Sequence, residues 1–181
     1  MRALWCLATI GMAALVGTGL AQDSKKQPIK GESTRAIYLV PNQHCPACAT
    51  ALEGSLKKVE GIETITVNFP NKLAVVEYDE SVISAQELSR AMFQAPHAMG
   101  ANMKYSAFLL LGLPASGKAT GVKATTALEK VEGVAKAVYY PQTKAVAIQF
   151  SDKGKVTSAV LIKALEDAGV KAGYYGAKIQ K

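Results

Sequence analysis

The chain repeats itself at long range: Val59-Glu60-Gly61-Ile62 returns 72 positions later as Val131-Glu132-Gly133-Val134. A repeat of that period means one supersecondary unit written twice, so a fold must be found for the unit rather than for all 181 residues. In the first copy, the β-rich run Ala36-Ile37-Tyr38-Leu39-Val40 stops at Pro41. Ala51, Leu52, Ser55, Leu56 and Val59 then recur at helical spacing, which predicts an amphipathic helix from about Pro46 to Val59, closed by Glu60-Gly61. Ile65, Val67 and Phe69 alternate before the turn Pro70-Asn71-Lys72, and Ala74, Val76 and Tyr78 alternate after it, the pattern of a β-hairpin. Ser84 with Glu87 is a capping box ahead of the apolar stripe Leu88, Ala91 and Met92. A last short strand is expected near Met103 to Tyr105, giving the order βαββαβ.

The second copy supplies Val138-Tyr139-Tyr140, a turn at Pro141-Gln142-Thr143, and Ala145 to Phe150. With one inserted residue, Leu161 to Leu165 matches Leu88 to Met92. Gly169 then stops the helix before a final strand at Val170 to Tyr175. The expected fold class is α+β: two tandem ferredoxin-like βαββαβ domains, each an antiparallel four-stranded sheet with two helices on one face. Their expected limits are 35–105 and 106–178.

Ahead of the repeat, Arg2 precedes an apolar run from Ala3 through Val16, and small residues at Gly19 and Ala21 close the segment. Residues 1–21 read as a secretory signal peptide, so the protein is expected to be exported, to a periplasmic or extracellular space. Uncleaved, the segment is a short membrane anchor and the chain's only contact with a membrane. Residues 22–34, with Lys25, Lys26, Pro28, Gly31 and Ser33, read as a polar linker.

Of three cysteines, Cys6 lies inside the signal segment, which leaves Cys45 and Cys48 in the mature chain. A disulfide between residues this close encloses almost no loop and stabilises little, so metal binding or redox chemistry explains the pair better than a structural staple does. The pair sits where a strand hands over to a helix. Unpaired N–H groups and the positive end of the helix dipole are expected there to lower the thiol pKa values. Two such thiolates suit Cu(I) in near-linear coordination, and Zn(II) or Hg(II) if further ligands join.

Strand, exposed Cys45-Pro46-Ala47-Cys48, helix to Val59-Glu60-Gly61-Ile62, hairpin and second helix together resemble the heavy-metal-associated domain family. The resemblance covers Ala36 to about Tyr105 in full and Ala107 to Tyr175 in framework only. It implies that Cys45 and Cys48 hold the metal and pass it by thiolate exchange to a metal-transporting or metal-receiving protein. It also implies a monomer, or a dimer bridged by metal between facing Cys pairs. Gln43 stands where the family commonly has a buried supporting Met. His44 adjoins Cys45 and is either a solvated side chain or a third ligand. His97, in a loop expected to approach the metal loop, is either a surface residue or the group completing a three-coordinate site, and nearby Met99 is assigned to packing. In the second copy Gly117 and Thr120 replace the cysteines, so that copy is expected to bind no metal there and to serve docking or spacing.

Other chemistries fit less well. Gly112-Leu113-Pro114-Ala115-Ser116-Gly117-Lys118 imitates a phosphate-binding loop, but Ala119 stands where a hydroxyl must hold Mg²⁺, so no nucleotide is expected. Cys-Pro-x-Cys also occurs in thioredoxin-like oxidoreductases, so thiol–disulfide exchange or redox sensing is the main rival, followed by a non-metal interaction module. Those enzymes use a different element order and a facing cis-proline, which nothing after Cys48 supplies. The net charge of +7 is spread along the chain without a basic block or interleaved aromatics, so no nucleic acid is expected as a partner. His44 and His97 form no nucleophile–base arrangement, and the chain is expected not to be an enzyme.

Overall fold

A computed structural model describes residues 33–114 and 117–176. The expected signal segment and most of the linker lie outside the described residues. The elements run β1 (Ser33–Leu39), α1 (Pro46–Leu56), β2 (Ile62–Asn68), β3 (Leu73–Asp79), α2 (Ala85–Gln94), β4 (Phe108–Gly112), α3 (Lys118–Leu128), β5 (Val134–Tyr140), β6 (Ala145–Phe150), α4 (Ser158–Asp167) and β7 (Gly173–Tyr174). β1 begins at Ser33, inside the expected linker, because Ser33, Thr34 and Arg35 pair with Asp79, Tyr78 and Glu77 of β3. The fold is α+β, with an antiparallel sheet and four helices, as the element pattern implied.

Local geometry follows the sequence period. α1 and α3, β2 and β5, and the starts of β3 and β6 are each 72 residues apart. Gly61 and Gly133 both adopt positive φ, at 88° and 95°, and each accepts a backbone hydrogen bond from the strand ahead, from Asp79 at 2.8 Å and Ser151 at 2.9 Å. A side chain at either position would be strained, which is why glycine closes both helix-to-strand turns. Lys72 and Lys144, also 72 apart, take positive φ in the two hairpin turns. Ser84 and Glu87 form the capping box reciprocally, with Glu87 Oε2 accepting from the Ser84 amide at 3.1 Å.

The strand expected at Met103 to Tyr105 does not form. Tyr105 Oη donates to the Cys48 carbonyl at 2.8 Å, and the Asn42 side chain bridges the Lys104 carbonyl and the Ser106 amide. This segment therefore straps the Cys loop, and its backbone is unavailable to β1. β4 takes the vacant edge, pairing Ile37 with Leu110, Tyr38 with Leu109 and Leu39 with Phe108, while its other edge pairs β6 from Leu109–Ile148 to Gly112–Ala145. One sheet results, in the order β2-β3-β1-β4-β6-β5, with β7 reduced to two residues beside Leu111 and Gly112. A βαββα unit and a βαββαβ unit thus share a continuous sheet in place of two separate four-stranded ones.

Alternation along the strands sorts the faces. Tyr38, Val76, Tyr78, Leu109, Leu111 and Ile148 join Leu52, Leu56, Leu88, Met92, Leu128, Leu161 and Leu165 of the four helices in one core. Ile37, Leu110 and Ala147 form a smaller cluster on the opposite face. The helices therefore form a single layer across both units.

Gln86 rivets the units together. Its side chain is buried, Nε2 donates to the Ser151 and Lys153 carbonyls at 2.8 Å each, and Oε1 accepts from the Val156 amide at 3.1 Å. Gln86→Leu leaves these backbone groups without partners, at about 1–3 kcal/mol for each orphaned group. Urea unfolding of that variant is expected to show a loss of about 3–5 kcal/mol; a loss below about 1 kcal/mol would mean that water replaces the amide.

Candidate metal centre

Cys45 is the N-cap of α1, in extended conformation (φ −150°), with Pro46 filling the first helical position, where a missing N–H costs nothing. The Cys45 Sγ accepts from the Cys48 amide at 3.3 Å, and the Cys45 carbonyl accepts from the same amide at 3.0 Å. Both cysteines are free thiols, with Cys45 half-buried and Cys48 fully buried. Their sulfurs lie 2.6 Å apart, and either can donate to the other. Two thiolate–metal bonds of about 2.3 Å hold sulfurs roughly 4 Å apart or more, so an ion held by both would require the pair to spread.

The helix terminus acts on the two sulfurs unequally, where the sequence suggested that both would be lowered. The Cys45 thiol is raised above its ordinary value, first because of its hydrogen bond with the Cys48 side chain. Burial pushes Cys48 upward, but the hydrogen bond from Cys45 and those from backbone groups of His44, Cys45 and Cys48 bring it below its ordinary value.

Around this pair the α2–β4 loop does approach, as expected. The His44 and His97 rings lie 6.1 Å apart between centroids, and His97 sits 4.5 Å from the Tyr105 ring. Burial holds the Tyr105 hydroxyl protonated, with its pKa pushed up to about 12, so it remains a donor to the Cys48 carbonyl. His97 is buried, not a surface residue, whereas Met99 is 57% exposed and packs little. His97 Nδ1 accepts from the Met99 amide at 3.2 Å, so the neutral ring carries its proton on Nε2, which is buried without a partner. A ligand nitrogen must be unprotonated, so ligation through Nε2 would require the other tautomer and the loss of the Met99 hydrogen bond. Among the described residues no three His, Cys, Asp or Glu side chains gather around a common point. The structure brings the two cysteines together, with His44 exposed to solvent and its ring 6.1 Å from that of buried His97.

Sequence reading missed two neighbours. Tyr105 reads in sequence as part of a strand, and its contact with Cys48 has no local signature. Lys72 reads only as a turn residue, yet its ammonium donates to the Gln43 carbonyl and lies 4.3 Å from the Phe69 ring centroid. Gln43 is fully buried, but both polar atoms of its amide lack partners. In the second unit Gly117 caps α3 with no side-chain bond and Thr120 lies in its first turn. The strand–loop–helix segment there belongs to a wholly antiparallel sheet, unlike the parallel sheet around a phosphate-binding loop, and Ala115 and Ser116 lie outside the described residues.

Residues 37–96, from β1 through α2, match the model of the heavy-metal-associated domain. Over 76 residues the chain is 32% identical to the periplasmic component of the mercuric transport protein of Shigella flexneri, covering 42% of this chain and 84% of that protein. The chain belongs to the heavy-metal-associated domain family. It is also 28% identical over 67 residues to human copper-transporting ATPase 2, covering 37% of this chain and 5% of that protein. Among solved structures, oxidized MerP from Ralstonia metallidurans CH34 aligns at 27% identity and a TM-score of 0.36, over 42% of this chain and 96% of that one. The heavy-metal-associated match ends at residue 96, so α3, α4 and the strands around them lie beyond it.

Proposed function

We propose that this protein is an exported carrier that holds one soft metal ion, Cu(I) in preference to Hg(II) or Zn(II), on Cys45 and Cys48, and passes it to a metal-transporting or metal-receiving protein by thiolate exchange. The observation that carries this reading is the pair of free thiols 2.6 Å apart at the N-terminus of α1, inside the segment matched to the heavy-metal-associated domain. Two sulfurs without a third ligand suit an ion that prefers two-coordination, and they leave it open to attack by a partner's thiolates. Half-exposed Cys45 is the sulfur from which exchange starts, and buried Cys48 retains the ion until the partner has engaged.

The name of the periplasmic mercuric relative and the apolar N-terminal segment support export; the name of the copper ATPase supports Cu(I) as cargo. The wholly antiparallel sheet and the match to the heavy-metal-associated domain support a carrier over a thioredoxin-like oxidoreductase. The unit from β4 to β7 acts in this reading as a docking or spacing module without metal at Gly117 and Thr120.

Anaerobic titration of the reduced mature chain with Cu(I) tests the proposal. One equivalent should bind and produce a thiolate-to-metal ultraviolet band, while insulin-disulfide reduction should stay at background. Absence of the band, or turnover of insulin dependent on Cys45, overturns it.

A further inference from the structure

The groups next to the Cys loop carry a charge preference. Lys72 is held at that loop by three contacts. Its own carbonyl accepts from the Val40 amide at 2.7 Å, its ammonium donates to the Gln43 carbonyl, and the Phe69 ring backs that ammonium at 4.3 Å. It joins no ion pair among the described residues, so its charge is not spent on a carboxylate. Two residues before Cys45, the Gln43 amide is fully buried with neither its nitrogen nor its oxygen hydrogen-bonded. An orphaned buried amide is costly, and a chain that needed only packing would do better with an apolar side chain of similar length. The Gln43 amide is shielded from bulk solvent, so a rearrangement of the loop it belongs to would give it a partner.

An ion bound between the two sulfurs would supply both the rearrangement and the charge. Two thiolates with a monovalent ion carry a net charge of −1, whereas the same thiolates with a divalent ion are neutral. An anionic adduct with one sulfur buried needs a nearby cation and hydrogen-bond donors; a neutral adduct gains little from either. We propose that the Lys72 ammonium and the unpartnered Gln43 amide are positioning groups that favour the anionic adduct of a monovalent soft ion on Cys45 and Cys48 over the neutral adduct of a divalent one. This rests on the carrier reading above and assigns its selectivity to residues that are not ligands.

The test uses the full mature chain with Ag(I), a redox-inert monovalent probe, and Hg(II), each measured by competition against a chelator of known affinity. Lys72→Met keeps the stem over Phe69 and removes the charge; it is expected to weaken Ag(I) about tenfold and Hg(II) less than about twofold, the scale of one partly screened charge. Lys72→Arg should restore the Ag(I) affinity. Gln43→Met should weaken Ag(I) about fivefold while raising the urea midpoint of the ion-free chain, since it removes two unpaired polar atoms. A purely structural role would move both ions together, so an unchanged Ag(I) to Hg(II) ratio in Lys72→Met and Gln43→Met overturns the proposal. Failure of the parent chain to bind either ion would instead remove the carrier reading on which it stands.

Discussion

Cys45→Ser combined with Cys48→Ser is expected to weaken soft-ion binding by at least roughly three orders of magnitude and to leave the fold intact. The binding loss follows from ligand chemistry: a serine hydroxyl is a hard, neutral oxygen, and a soft d10 ion gains little from exchanging water for it. Nothing nearby compensates, because no three-residue cluster of His, Cys, Asp or Glu exists among the described residues and His97 presents a protonated Nε2 in its observed tautomer. Retention of the fold follows from position. Cys45 is an N-cap, a place that serine fills better than cysteine. Cys48 is fully buried, so its new hydroxyl costs about 1–2 kcal/mol, within the reserve of an ordinary domain. α3 provides an internal control, since it reaches eleven residues from an N-cap of Gly117 with no side-chain bond and Thr120 in its first turn. Competition against a chromophoric Cu(I) chelator, with far-ultraviolet circular dichroism on the same samples, checks both halves. A folded double variant that still binds Cu(I) like the parent would move the site away from the cysteines.

How much of this was legible in the sequence depends on the range over which each feature is encoded. α1, the hairpins and the Ser84–Glu87 cap are written in periods and pairs a few residues apart, and they appear where those patterns place them. Gly61 and Gly133 announced the repeat because a positive φ leaves little choice of residue. The edge of β1 was not legible. Met103 to Tyr105 and Phe108 to Gly112 are both apolar enough for a strand, and the choice between them is made by Tyr105 bonding to Cys48 and Ser106 bonding to Asn42, each about 60 residues away in sequence. Gln86 reads as an ordinary polar helix residue until Ser151, Lys153 and Val156 are folded against it. At the candidate site the Cys pair was fully legible from spacing. His97 is buried and Met99, assigned to packing, is exposed, because in a loop without periodicity a sequence does not say which side chain turns inward. Lys72 carried one faint signal, its place in a tight turn, where the backbone brings the next strand back beside β1.

A chain ending at Tyr105 is expected not to fold to a stable monomer, although it contains the whole segment matched to the heavy-metal-associated domain. Without β4, the edge of β1 from Ile37 to Leu39 loses its partner, and exposed strand edges recruit other chains. The core shared by both units loses Leu109 and Leu111, each fully buried and worth about 1.5–3 kcal/mol in apolar transfer. Gln86 keeps its burial demand but loses Ser151, Lys153 and Val156, and Tyr78 loses the Ser158 hydroxyl at 3.0 Å. Together these losses reach the roughly 3–5 kcal/mol that a single core of about 70 residues supplies. Urea unfolding followed by circular dichroism should show no cooperative transition, and sedimentation should show association instead of a monomer. A monomeric fragment that unfolds cooperatively would mean that Met103 to Tyr105 can leave the Cys loop and close the sheet. The second unit would then be an appended module. If the fragment fails to fold as expected, the second unit is a structural part of the metal-binding half, and its persistence without thiols has a physical reason: it holds β4 on the edge of β1.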